Sequence, residues 1–167
     1  MTTKYYGKYR GSVISSLDLM RMGRLQVSCS AVFGPGVLAW AMPCVPFAGP
    51  LEGFYMLPKP GSNVWVEFEA GDPDRPIWAG CFWTTQTIPP KAVSPSVRTI
   101  SGLGADITID DTPGAGSVTM QVLPPAVSNP CTMRLDATGV LINVGGATIK
   151  MTTPNVVDIN IGALTVT

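Results

Sequence analysis

Apolar and polar residues alternate in short bursts along the first 83 positions. Gly23-Arg24-Leu25-Gln26-Val27-Ser28-Cys29 sets Leu25, Val27 and Cys29 on one side. Val64-Trp65-Val66-Glu67-Phe68-Glu69 sets Val64, Val66 and Phe68 one way and Trp65, Glu67 and Glu69 the other. This period of two is the mark of a strand with one buried face. Gly7–Ser15, Val37–Met42 and Ile77–Trp83 read as three further strands. Gly61-Ser62-Asn63 and Gly71-Asp72-Pro73-Asp74-Arg75-Pro76 read as turns between strands. No stretch keeps a helical period for any length.

Residues 99–167 repeat the alternation with different material. The segments are Asp106–Asp110, Ser117–Val122, Thr132–Asp136, Val140–Val144, Ala147–Met151, Val157–Ile161 and Leu164–Thr167. Aliphatic residues alternate there with Thr, Asp or Asn, and the part holds no aromatic residue and no Glu. Between the two patterns, Thr84–Arg98 is rich in proline and reads as an extended linker. The expected organisation is a barrel over 1–83, a linker over 84–98 and a second β part over 99–167.

The first part has the strand count and size of a five-stranded OB barrel. The last part poses a burial problem. Each strand has a narrow aliphatic face, and too little chain remains to lay a second sheet over it. Segments of seven to ten residues are also too short for one chain to circle an axis, since solenoid repeats need about 20 or more. Three chains solve this if each supplies one wall of a prism. The aliphatic faces then meet on the axis, and backbone groups pair with neighbouring chains. The competing reading is half of an ordinary β-sandwich. The expected fold is therefore all-β, with an OB-fold barrel followed by an intertwined triple-stranded β-helix in a homotrimer.

The trimer core expected from the alternation is Ile107, Ile109, Val118, Met120, Val122, Met133, Leu135, Val140, Ile142, Val144, Ile149, Met151, Val157, Ile159, Ile161, Leu164 and Val166.

Composition narrows the functions open to such a chain. Of 167 residues, 18 are Gly and 16 Pro, which disfavours long helices. Eleven basic and eleven acidic residues cancel, which argues against bulk electrostatic binding of nucleic acid. There is no histidine, so neither a Ser-His-Asp triad nor an imidazole metal site is available. No charge falls between Leu25 and Leu51, but Pro35, Pro43, Pro46 and Pro50 rule out a spanning helix there.

The N-terminus has no apolar signal segment, so synthesis in the cytoplasm without a signal peptide is expected. Cys29, Cys44, Cys81 and Cys131 have no paired spacing for zinc, and read as small buried hydrophobes.

One ordered set of residues carries a resemblance. It runs through Gly23-Arg24-Leu25-Gln26-Val27, Trp40-Ala41-Met42-Pro43, Ala48-Gly49, Gly53 and Leu57-Pro58. It continues with Pro60-Gly61-Ser62-Asn63-Val64-Trp65-Val66-Glu67-Phe68 and closes on Gly71-Asp72-Pro73-Asp74-Arg75-Pro76-Ile77-Trp78-Ala79-Gly80. In this order, over about 60 residues, the first half resembles the barrel of the phage baseplate assembly protein V and central spike family. The valine-glycine-repeat spikes of type VI secretion are related. A trimeric β-helix follows that barrel in the family, and here the match is by pattern rather than motif.

The resemblance implies a structural spike that joins a baseplate hub to a tip and helps puncture an envelope. It implies no enzyme activity and no cofactor. Some family members carry a lysozyme domain where this chain has only Thr84–Arg98, so no cell-wall hydrolase is expected. The barrel begins near the N-terminus, so the hub is expected to be a separate protein. Some spikes end in an iron-binding histidine tip, which this chain lacks. Leu164-Thr165-Val166-Thr167 is still in strand pattern, and a separate PAAR-like tip protein is expected to cover it.

Individual residues have plainer readings. Gly61 suits a turn, and Asp72 and Asp74 suit bonds to NH groups of their own turn, stiffened by Pro73 and Pro76. An Asp pair is also a candidate metal or acid–base site, but no third ligand accompanies it. Arg24 either pairs with an acidic group in hub or barrel or is a solvated strand charge. The alternative function is an OB-fold nucleic-acid-binding protein, with Trp40, Trp65, Trp78 and Trp83 for base stacking. An enzyme using Asp110-Asp111 is disfavoured, because adjacent strand residues point to opposite faces.

Overall fold

The structure, a computed structural model, describes residues 3–161 and 163–166. The chain divides into two compact units, Met1–Thr87 and Ile88–Thr167.

The first unit is built on β1 (Tyr9–Ser15), β2 (Leu25–Ser28), β3 (Leu38–Pro43), β6 (Asn63–Phe68) and β7 (Pro76–Cys81). They close into a barrel in the order β1-β2-β3-β7-β6. The β3–β7 contact is parallel and the other pairings are antiparallel. This is the OB-like barrel that the alternation predicts. One helical turn, Ser30–Phe33 (α1), separates β2 from β3. A small hairpin, β4 (Ala48–Gly49) and β5 (Glu52–Gly53), fills part of the chain between β3 and β6.

Burial follows the period of two. Leu25, Val27, Val64 and Val66 have no exposed surface, and Val13, Cys29, Ala41, Phe68 and Trp78 complete the core. Tyr5, Tyr9 and Phe33 pack their rings around Phe68 at one end of it. Burying the β6 side chains stabilises the barrel by about 1.5–3 kcal/mol each.

The second unit is one antiparallel meander of eight strands. They are β8 (Val97–Ser101), β9 (Ala105–Asp110), β10 (Ser117–Val122), β11 (Cys131–Asp136), β12 (Gly139–Val144), β13 (Ala147–Thr152), β14 (Val156–Ile159) and β15 (Leu164–Val166). Sequence neighbours pair throughout, so each inner strand has both ladders filled by its own chain. Backbone pairing between chains, expected from the short segments, is corrected here. Tight turns return each strand beside the last, so one chain lays a complete wall by itself.

Within the stretch read as a linker, Val97 and Arg98 belong to β8. Lys91 folds onto the sheet, its Nζ donating to Asp106 Oδ1 and Gln121 Oε1 at 2.6 Å each.

Candidate functional site

The register of the meander sorts its side chains by row. A central row runs Ile100, Ile107, Met120, Met133, Ile142, Ile149, Ile159 and Leu164, one residue from each of the eight strands. A second row runs Arg98, Ile109, Val118, Leu135, Val140, Met151 and Val157. A third, shorter row is Ala105, Val122, Cys131, Val144 and Ala147. Because alternate strand positions share a side, these rows lie on one face.

The opposite face carries Asp106, Gln121, Thr132, Asn143 and Thr148 in one row, and Thr108, Thr119, Arg134, Leu141, Lys150 and Asp158 in another.

Burial on these two faces runs against the usual rule. On β9, Ile107 and Ile109 are more exposed than Asp106, Thr108 and Asp110. Met120, Val144 and Leu164 are 47, 52 and 55% exposed. An eight-strand aliphatic face open along its length is far larger than the apolar patches of a few hundred Å2 that monomers carry. Meanwhile the polar face is cross-linked. Besides the Lys91 clasp, Gln121 Nε2 donates to Thr132 Oγ1, and Arg134 Nε to Asp136 Oδ2 at 2.7 Å. The Asp136 carboxyl is held down to about 2 by the Thr138 hydroxyl, the Thr138 NH and Arg134. The surface without partners is thus the apolar one.

Of the expected core residues, Ile161 departs from the pattern. It lies in the turn after β14 at φ +53° and is 88% exposed. For the expected tip contacts, Leu164 is half-exposed and Thr165 and Val166 belong to β15, while Thr167 lies outside the described residues.

In the barrel the motif residues serve its turns and core. Val27, Val64 and Val66 are buried, as are Phe68, Pro76 and Gly71. Gly23, Gly61, Gly71 and Gly80 have φ of +75°, +87°, +74° and +108°. In the β4–β5 hairpin Gly49 pairs with Glu52 and Gly53 with Ala48. Pro43 flanks Gly23, Pro58 is half-buried, and Pro73 sits in the loop before β7. Asp72 accepts from the Asp74 NH at 3.1 Å, the turn role expected of it.

Arg24 pairs within the barrel, with Asp18. Its Nη2 donates to Asp18 Oδ1 at 2.7 Å, and its guanidinium covers Trp40 at 5.3 Å. Asp18 also accepts from the NH groups of Met20, Met22 and Arg24. Arg24 and these NH groups hold its carboxyl well below the usual carboxylate range. Sequence reasoning missed Asp18, which sits between Leu17 and Leu19 with no spacing to mark it.

The cysteines need correcting. Cys29 is buried, but Cys44 and Cys81 are exposed and Cys131 is half-buried, because only Cys29, at the junction of β2 and α1, packs into the barrel core. Among the described residues no three His, Cys, Asp or Glu side chains are grouped as a metal would need. Asp110 bonds the Thr112 NH while Asp111 pairs with Arg98, so the adjacent carboxylates do not converge. Among the described residues no helix is long and apolar enough to cross a membrane.

A closed OB-type barrel followed by a sheet with one unpartnered apolar face defines a self-assembling β protein. Two family models match it. The type VI secretion system/phage-baseplate injector OB domain covers residues 9–83, and the phage baseplate V C-terminal trimerisation domain covers residues 97–165. The chain belongs to the phage baseplate V/central spike family, a family of structural baseplate components. It is accordingly a component of a phage tail or related injection particle, and self-association as a homotrimer comes with its C-terminal domain. No curated protein matches the chain.

Proposed function

We propose that three copies of this chain form the central spike of a contractile injection machine. The spike joins the baseplate hub to the tip and helps puncture the target envelope. The observation that carries this reading is the open aliphatic face of β8–β15. Three such walls, set face to face, stack the central row into eight layers, each with one residue from every copy. At ~4.8 Å per strand the stack is roughly 35 Å long. The polar faces, already cross-linked by Lys91 and Gln121, turn outward. Intrachain ladders make each wall stiff, and the dry seam joins the walls, so load passes along the axis through backbone bonds and packed side chains.

A separate hub protein engages the barrel end, and a PAAR-like tip protein covers the outer edge of β15. There an edge strand and the half-exposed Leu164 offer unpaired backbone groups beside an apolar side chain. The spike needs no cofactor, binds no nucleic acid and performs no hydrolysis. Its contact with the envelope is transient.

Light scattering with and without SDS at room temperature tests the assembly. A species of three chains that survives SDS is expected, whereas a 17.6 kDa species in both conditions overturns the reading. Electron microscopy of the assembled particle tests the tip: density beyond β15 is expected, and a bare end removes the tip protein.

A further inference from the structure

The aliphatic face of β8–β15 does not by itself set the height at which walls meet. Its central row is built of Ile, Met and Leu alone, and its second row of Ile, Val, Leu and Met after Arg98. Such side chains replace one another at little cost. If one copy slips along the axis by a hairpin, two strands or about 10 Å, aliphatic side chains still meet in six of the eight layers. Burial of apolar surface therefore discriminates poorly between registers.

One ion pair breaks this sameness, and it sits at one end. Arg98, on the edge strand β8, stands opposite Ile109 and two residues before Ile100, so it projects from the aliphatic face. Asp111 follows Ile109 by two. Its NH donates to the Ser96 carbonyl at 3.0 Å, which continues the β8–β9 ladder and keeps Asp111 on that same face. The Arg98 guanidinium donates to the Asp111 carboxylate, and both side chains are more than half exposed. The other charged residues of the described strands, Asp106, Asp110, Arg134, Asp136, Lys150 and Asp158, belong to the polar face.

We infer that the Arg98–Asp111 pair fixes the register in which the three walls meet. This rests on the face-to-face trimer proposed above. In register, the three pairs share the outermost layer of the seam, charge beside charge. Any slip carries a pair inward. If one copy moves one way, its own pair enters the aliphatic layers of its neighbours. If it moves the other way, their pairs enter its layers. Charges stripped of water among apolar side chains are strongly disfavoured, so each slipped arrangement is penalised and the aligned one is not. A single polar residue in an apolar coiled-coil seam fixes register on the same ground. The pair selects an arrangement rather than supplying affinity. Removing it leaves three chains joined and their relative height free.

The test co-expresses two full-length chains, both with Cys131→Ser. One carries Met120→Cys and the other Ile142→Cys, positions two strands apart in the central row. Oxidation with copper phenanthroline joins thiols only where their Cβ atoms come within about 4.5 Å. Aligned walls bring each introduced thiol to its own layer, and a slip by one hairpin brings the two kinds together. Mass spectrometry of the linked peptides is expected to find the mixed link at least about 100-fold rarer than the self-links. Arg98→Leu with Asp111→Leu in both chains is expected to raise the mixed link at least about tenfold while the mass stays at three chains. Exchanging the charges, Arg98→Asp with Asp111→Arg, is expected to hold it down again. A mixed link that stays rare in the leucine variant, or is already common with the native pair, overturns the inference. So does a mixed link as common in the exchanged variant as in the leucine one. Loss of the three-chain mass in the leucine variant overturns it too, because the pair would then hold the trimer together rather than choose its register. A one-chain mass for the unsubstituted chain removes the trimer itself, which separates that failure from failure of the pair.

Discussion

Met120 and Met133 stand directly opposite one another across the β10–β11 ladder, both open on the aliphatic face at 47 and 39% exposure. They occupy the middle of the central row, so in the trimer proposed above a charge there meets its two symmetry copies. Leaving a carboxylate in such a place costs several kcal/mol per ion. Met133→Asp is expected to weaken assembly by at least about 1,000-fold, read as a fall from three chains to one by light scattering. Thr119→Asp is the control, because Thr119 lies on the polar face opposite Arg134. It is expected to leave the mass at three chains.

The Asp18–Arg24 pair predicts a pH dependence for the barrel. Arg24 first, then the NH groups of Met22, Met20 and Arg24, favour the ionised Asp18, so its folded pKa lies below the unfolded value of about 3.9. A group depressed on folding contributes stability above the unfolded pKa and loses it as pH falls towards the folded one. Asp18→Asn is expected to lower the barrel's melting temperature by roughly 5–10 °C at pH 7. The gap between wild type and variant should narrow as pH drops below about 4. Asp110 and Asp136 also titrate low, so the difference between variant and wild type is the quantity to follow. A constant gap from pH 7 to pH 2 would refute the role given to Asp18.

What could be read from sequence was set by periodicity. Leu25 with Val27, and Val64 with Val66 and Phe68, announce a buried face because a strand repeats every two residues. Face does not specify partner, however. Alternation in Ser117–Val122 is the same whether Thr132–Met133 pairs from its own chain or another, and the turns decided for its own. The β4–β5 hairpin was invisible because two residues per strand carry no period. Strand β8 was hidden by the prolines before it. Asp18 was hidden because its meaning lies in a loop that brings Arg24 back to it. The exposed Cys44 and Cys81 follow from strand ends, where residue type says little about side.

Gly71 joins two constraints that a turn motif alone does not reveal. Its φ is +74°, and a Cβ there would sit 3.0 Å from the Tyr6 ring and 3.2 Å from the Tyr5 nitrogen. The Tyr5 NH also donates to the Gly71 carbonyl, tying the N-terminal segment to the barrel. Gly61 has a similar φ of +87° but open space around it. Gly61→Ala is therefore expected to cost only the backbone strain, about 1 kcal/mol. Gly71→Ala should cost about 2–3 kcal/mol, because Tyr6 and the tied backbone must move as well. Chemical denaturation followed by tryptophan fluorescence measures both, and equal losses would show that the close approach at Gly71 is unimportant.

The nucleic-acid reading makes the clearest opposing forecast, and the ring environments decide it. Base stacking needs open aromatic faces beside positive charge. Trp78 is buried in the core. Trp65 packs against Phe82 with ring centroids 4.6 Å apart and planes tilted by 39°, and the Arg10 guanidinium lies within 5.6 Å of both rings. Trp40 is covered by Arg24, whose charge is already met by Asp18. Of the four, Trp83 alone is widely exposed, at 67%. One open ring without a basic groove falls short of the row of stacking platforms that single strands require. A gel shift with a 30-nucleotide single strand is expected to show no complex at ~10 μM protein and low salt, where non-specific electrostatic binding is strongest. A complex that forms there, and is lost in Trp83→Ala, would restore the OB-fold nucleic-acid reading and displace the spike.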